Sequence, residues 1–211
     1  MKVKLIIIYL IISTPVFSQI NIGFSAGSIQ SSAESFFNNG IDYLNLFWKK
    51  GFAVNIQGEY FLNNSLALSP FVEFATYKFD KYYLYGPRIP EEYVRDATGE
   101  NSIQWNLFLT LKIFPPIKKI VKLAFITGIG YSFESLGKIT AYFGYLGKGE
   151  TKREFRLKRD NRILHLLGLS LRAELMSSLS VEINGSFYTN YKDRFYPTIK
   201  AGFISRIPDI F

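Results

Sequence analysis

The ionisable residues of this chain fall into two sets whose placement decides what chemistry each can do. Glu59, Glu73, Lys112, Lys122, Arg172, Glu174, Glu182, Lys200 and Arg206 each adjoin an apolar or aromatic neighbour inside an otherwise apolar segment. Both signs are present, so gathered on one face they can pair into a charge network. Lys148, Lys152, Arg153, Arg156, Lys158, Arg159 and Arg162 instead form a predominantly basic run interleaved with Tyr145 and Phe155. Ammonium and guanidinium groups pair well with phosphate oxygens. The run therefore reads as a surface for lipopolysaccharide phosphates or an acidic envelope partner, beside the plainer reading of a solvated loop.

Other candidate chemistry is thinner. His165 is the only histidine. A general base needs a positioned partner, and no serine or acid accompanies His165 at convincing spacing, so we expect an interfacial histidine and assign no catalytic residue. Glu91, Glu92, Asp96 and Glu100 offer hard oxygen ligands without the spacing of a calcium loop, which leaves no metal or cofactor assigned. Gly128-x-Gly130 resembles half of a dinucleotide fingerprint, but lies in a strand-like segment and reads as glycine making room in a narrow interior. With no cysteine, disulfides and thiol catalysis are excluded.

The elements that must position these residues share a period of two. Ile20, Ile22, Phe24 and Ala26 alternate with Asn21, Gly23, Ser25 and Gly27, and the same rhythm returns over 52–62, 66–75, 103–113, 121–133, 167–175, 179–188 and 199–207. Successive side chains on a strand point to opposite faces, so each segment has one apolar face and one polar or glycine face. Short turn-forming stretches follow the second, fourth and sixth strands, and longer segments follow the first, third, fifth and seventh. We expect loops over 80–101 and 134–161, although 139–146 could prolong a hairpin. Tyr82, Tyr83, Tyr85, Tyr131, Phe133, Tyr188, Tyr191, Phe195 and Tyr196 fall near the long-loop ends and read as an aromatic girdle.

Residues 1–18 carry Lys2 and Lys4, an apolar run, Pro15 and a Val-x-Ser ending, which predicts a cleaved signal peptide. The run is shorter than the roughly 20 residues a membrane-spanning helix needs. Residues 19–211 suit a single domain. A formal net charge of +8 does not point to nucleic acid in an exported chain.

Eight alternating strands with short turns on one rim and long loops on the other predict an all-β, eight-stranded antiparallel up-and-down transmembrane β-barrel in a Gram-negative outer membrane. Alternation alone also permits a soluble barrel with its apolar face inward. The Leu, Ile, Phe and Trp crowding that face on every strand favours lipid outside and the mixed charges in the lumen. The Gly-rich first strand, Pro70 and Glu73 in the third, the fourth strand ending at Pro115, and Gly128-x-Gly130 together resemble the small outer-membrane barrels of Bacteroidota that include PorT-like proteins, and OmpA-like eight-stranded domains. The resemblance implies a non-enzymatic barrel with a role in surface interaction or in envelope or secretion assembly. A narrow solute channel and, more remotely, a lipid A-modifying enzyme using His165 are the alternatives. Phe211 and Lys200-x-Gly202 partly match the signal read by the barrel-assembly machinery, an expected partner during insertion.

Overall fold

The computed structural model describes residues 19–30, 47–80, 92–115, 121–135, 137–145, 148–155, 160–190 and 195–207. They form eleven strands: β1 (Ile20–Gln30), β2 (Phe47–Asn63), β3 (Leu66–Asp80), β4 (Glu92–Gly99), β5 (Ser102–Ile113), β6 (Val121–Ser135), β7 (Ile139–Tyr145), β8 (Lys148–Phe155), β9 (Asp160–Met176), β10 (Leu179–Thr189) and β11 (Phe195–Arg206). Residues 1–18, where the signal peptide is expected, lie outside the described residues.

β1, β2, β3, β5, β6, β9, β10 and β11 close into one barrel, each strand antiparallel to both neighbours. Closure follows from the first and last strands, with Phe24 opposite Phe203 and Ala26 opposite Ala201. A closed ladder leaves no unpaired edge. These eight strands are the eight expected from the alternation, several of them longer: β2 starts at Phe47, β3 runs on to Asp80, and β9 reaches back to Asp160.

The alternation sets the two faces. Along β5, Ile103, Trp105, Leu107 and Leu109 are exposed, whereas Gln104, Asn106, Phe108 and Thr110 are buried. The same outward row continues through Ile22 and Phe24, Ile56, Val72, Ile129, Leu169, Ile183, and Ile199 and Phe203. The barrel is thus apolar outside, and its polar side chains are inside.

Two expected loops are partly strands. β4 pairs with β7 and β7 with β8, making a separate three-stranded sheet at the long-loop end. Ala97, Ile139, Ala141 and Phe143 of this sheet share one buried apolar cluster with Ile29, Tyr77, Leu164 and Tyr196 of the barrel, so its inner face packs against that end of the lumen. Contact is close at Gly99, where a Cβ would lie 2.4 Å from the Phe79 ring. Only glycine lets the backbone come so near.

The aromatic girdle also needs correction. Tyr131, Phe133 and Phe195 face outward, but Tyr188 and Tyr196 are fully buried in the lumen, because their even-numbered positions share the phase of Glu182, Asn184 and Lys200. Tyr82, Tyr83, Tyr85 and Tyr191 lie outside the described residues.

Candidate functional site

The lumen is organised in layers. Nearest the short turns, Glu59 (β2), Lys112 (β5), Arg172 (β9) and Glu182 (β10) meet in one buried cluster. Lys112 Nζ donates to Glu59 Oε1 at 2.6 Å and to Glu182 Oε1 at 2.7 Å. Arg172 Nη2 donates to Glu59 Oε1 and Glu182 Oε2, both at 2.5 Å, and its Nε reaches Glu182 Oε2 at 3.1 Å. Burying a charge is costly unless it is paired and hydrogen-bonded. Two acids and two bases from four strands meet that condition.

A second cluster sits toward the long-loop end. Glu73 (β3) accepts from Lys200 Nζ (β11), from the Tyr188 hydroxyl (β10) at 2.7 Å and from Asn106 Nδ2 (β5) at 2.9 Å. Lys200 Nζ also donates to the Tyr188 oxygen at 2.8 Å. Between the clusters is a cavity of only about 10 Å³, lined in part by Asn55, Gln57, Thr110, Lys112 and Lys200. This is at the lower limit for one water molecule.

Aromatic and aliphatic side chains then fill the lumen. Phe71 stacks on Phe108 at 5.0 Å between ring centroids, and Phe108 meets Tyr188 at 4.9 Å. Gly130 opposite Phe108 makes room for this, since a Cβ there would lie 2.4 Å from the ring. Further along, the Tyr77 hydroxyl donates to Gln104 Oε1 at 2.5 Å, and Gln104 Nε2 donates to Ser132 Oγ at 2.8 Å. Ile126, Leu164, Leu166 and the inner face of the small sheet complete the packing. Sequence reasoning missed this apolar half, although the even phase of Phe108, Ile126, Leu164 and Leu166 was a usable signal.

Six of the nine charged residues expected in the lumen therefore come together in two clusters. Lys122, Glu174 and Arg206 do not. Lys122 pairs with Glu174 at 2.5 Å, but their side chains are 48% and 56% exposed, and Arg206 is exposed as well. All three have the inward phase but sit at strand ends beside the short turns, where the barrel opens to solvent. There they border a cavity of about 480 Å³, together with Asn21, Phe61, Phe114 and Arg172.

The basic run does not form one patch among the described residues. Lys152 is exposed and pairs with Glu154 at 3.0 Å. Arg153 stands over the Phe143 ring at 4.8 Å, on the sheet face that meets the barrel. Arg162 is turned inward beside Glu134 at 3.6 Å, with its side chain 9% exposed. Arg156, Lys158 and Arg159 lie outside the described residues, and nothing is described of the Lys148 side chain. Glu154 also pairs with Lys138 at 2.6 Å. The Lys138 hydrogen bond, joined by that of Lys152, holds its carboxyl at about 2, and Glu154 in turn raises the Lys152 ammonium.

Two of the four acids considered as calcium ligands have local structural roles instead. Asp96 Oδ1 accepts from the Ala97 amide at 2.9 Å, and Glu100 Oε2 from the Lys138 amide at 3.0 Å. His165 lies on the outward row of β9 opposite Ile129 and Thr189.

No protein-family model matches the chain, and no curated protein does. Solved structures do. Neisserial surface protein A superposes with a TM-score of 0.53 at 12% identity, over 89% of this chain and 97% of that one. A major outer-membrane protein from Thermus thermophilus gives 0.49 at 14%, over 89% and 99%. Ail, the attachment invasion locus protein of Yersinia pestis, gives 0.42 at 15%, over 90% and 97%. The likeness to the Neisserial protein is one of fold. This chain has the fold of a small eight-stranded outer-membrane β-barrel.

Proposed function

We propose that the chain is an integral outer-membrane barrel protein, exported by a cleaved signal over residues 1–18, whose task is non-enzymatic: surface interaction, or service in an envelope or secretion assembly as the PorT-like resemblance implies. The observation that carries the membrane reading is the outer surface. Ile56 is 63% exposed, Ile199 67% and Phe203 57%, and such residues recur on all eight barrel strands. A soluble monomer rarely exposes a contiguous apolar patch beyond a few hundred Å². In lipid the same surface needs no cover, and the closed ladder leaves no open sheet edge in the hydrocarbon.

The packed interior supports a body that does not conduct, with partner contacts left to its ends. At the long-loop end the small sheet presents Thr98, Thr140, Tyr142, Lys152 and Glu154 on its outer face, and this is the surface we assign to an envelope partner or to lipopolysaccharide phosphates. Detergent extraction followed by gel migration with and without boiling tests the membrane reading. A folded, faster-migrating form that is lost on heating supports it. A protein that stays monomeric and compact in plain buffer overturns it.

A further inference from the structure

The mouth at the short-turn end is a cavity to which the two lumen clusters contribute only Arg172. Its rim comes from the turn at Asn64 and Ser65, Pro115 at the end of β5, the turn at Ser177 and Ser178, and the barrel's first and last strands at Gln19 and Arg206. Its volume of about 480 Å³ lies within the range of small-ligand sites. One wall is aromatic: Phe61 stacks on Phe114 at 5.6 Å, backed by Ala67 and Ala124. Another is cationic.

Among the described residues the charge there is unbalanced. Lys122 is matched by Glu174, and Lys112 and Arg172 by Glu59 and Glu182. Arg206 is left over, exposed at the rim, and among the described residues it makes no ion pair. Arg172 forms the floor, held over the Phe114 ring at 5.3 Å. Its Nε and Nη2 are committed to the acids, while Nη1 takes part in none of those bonds. Asn21 stands in the wall with its Nδ2 turned to Glu59 at 3.4 Å, and its Oδ1 is a buried acceptor without a partner.

We propose that this mouth binds the free C-terminal carboxylate of a peptide whose last side chain is apolar. The carboxylate takes the guanidinium of Arg206, with Arg172 Nη1 behind it, and the apolar side chain lies on the Phe61 and Phe114 rings. Arginine suits this task because its planar fork matches a carboxylate. The periplasmic address of the site rests on the membrane reading above; its chemistry does not.

The test uses the processed protein in detergent micelles, first verified as folded by heat-modifiable migration, and two probes, N-acetyl-Ala-Ala-Phe as the free acid and as its C-terminal amide. Amide chemical shifts report the site. We expect the acid to move Asn21, Phe61, Phe114 and Arg206 and to bind about tenfold more tightly than the amide, the scale of one charge-assisted hydrogen bond. Arg206→Gln should abolish the preference for the acid and leave amide binding unchanged, with Arg206→Lys retaining part of it. Equal binding of acid and amide, no shifts at the mouth at millimolar peptide, or a preference that survives Arg206→Gln would overturn the proposal. A protein that needs no detergent fails the membrane reading instead, and the peptide titration in buffer still decides the site.

Discussion

At the scale of residues, burial decides how much each charge matters. Glu59 holds both Lys112 and Arg172 with a side chain that is fully buried, so Glu59→Gln leaves two cations facing a single remaining acid. Breaking a buried pair costs about 3 to 5 kcal/mol. The denaturant midpoint of the lipid-reconstituted protein should fall accordingly. Lys122→Gln removes an ion pair about half exposed to solvent and should change stability by less than about 1 kcal/mol. Equal effects from the two variants would show that the lumen is wet. The sequence's period of two placed all nine charges on the inward face, yet it carries no information on depth. A residue's phase is encoded in its own strand, whereas its height depends on the register of every neighbour. Lys122, Glu174 and Arg206 therefore share the phase of Glu59 and Lys112 but stand at the rim.

At the scale of elements, the eight barrel strands are legible because each buries one face against the lumen, whereas the small sheet is legible only at 139–146, as the extension of a hairpin. β4 reads Glu-Tyr-Val-Arg-Asp-Ala-Thr-Gly, with charge, glycine and no sustained alternation. Its strand character comes from pairing with β7, a partner more than forty positions away in register, Ala97 opposite Ala141. Such non-local support leaves no local mark. The seat of the sheet depends on Gly99, so Gly99→Val should lift it from Phe79. Faster hydrogen exchange over β4, β7 and β8, with heat-modifiable migration retained, is the expected outcome; unchanged exchange would mean that the sheet is not seated there. The pairing of Glu154 adds a pH dependence. Its carboxyl is held at about 2 against an ordinary value of 4.5, first by the hydrogen bond from Lys138 and then by Lys152. A depressed acid stabilises the fold above its ordinary value, and that contribution fades as pH falls from 4.5 toward 2. Exchange over β7 and β8, corrected for intrinsic rate, should therefore quicken on acidification across that window. In Lys138→Gln the pH effect should shrink.

At the scale of the whole molecule, the barrel is filled rather than hollow. Among the described residues, the two charge clusters, the stack of Phe71 on Phe108 and the inner face of the small sheet occupy the lumen at successive depths, as expected for a barrel of eight strands. Planar bilayers containing the purified protein should show no steady conductance. A steady current altered by Glu73→Gln would instead establish the narrow channel. The whole account turns on which face of the wall meets lipid, and the absence of cysteine makes this directly measurable. Single cysteines placed from 106 to 111 along β5 can be spin-labelled one at a time in liposomes and their collisions read with oxygen, which partitions into lipid, and with a water-soluble nickel chelate. The account predicts high oxygen accessibility at 107, 109 and 111, with low accessibility to both reagents at 106, 108 and 110. Nickel collisions at 107, 109 and 111, or the same accessibility at all six positions, would contradict it.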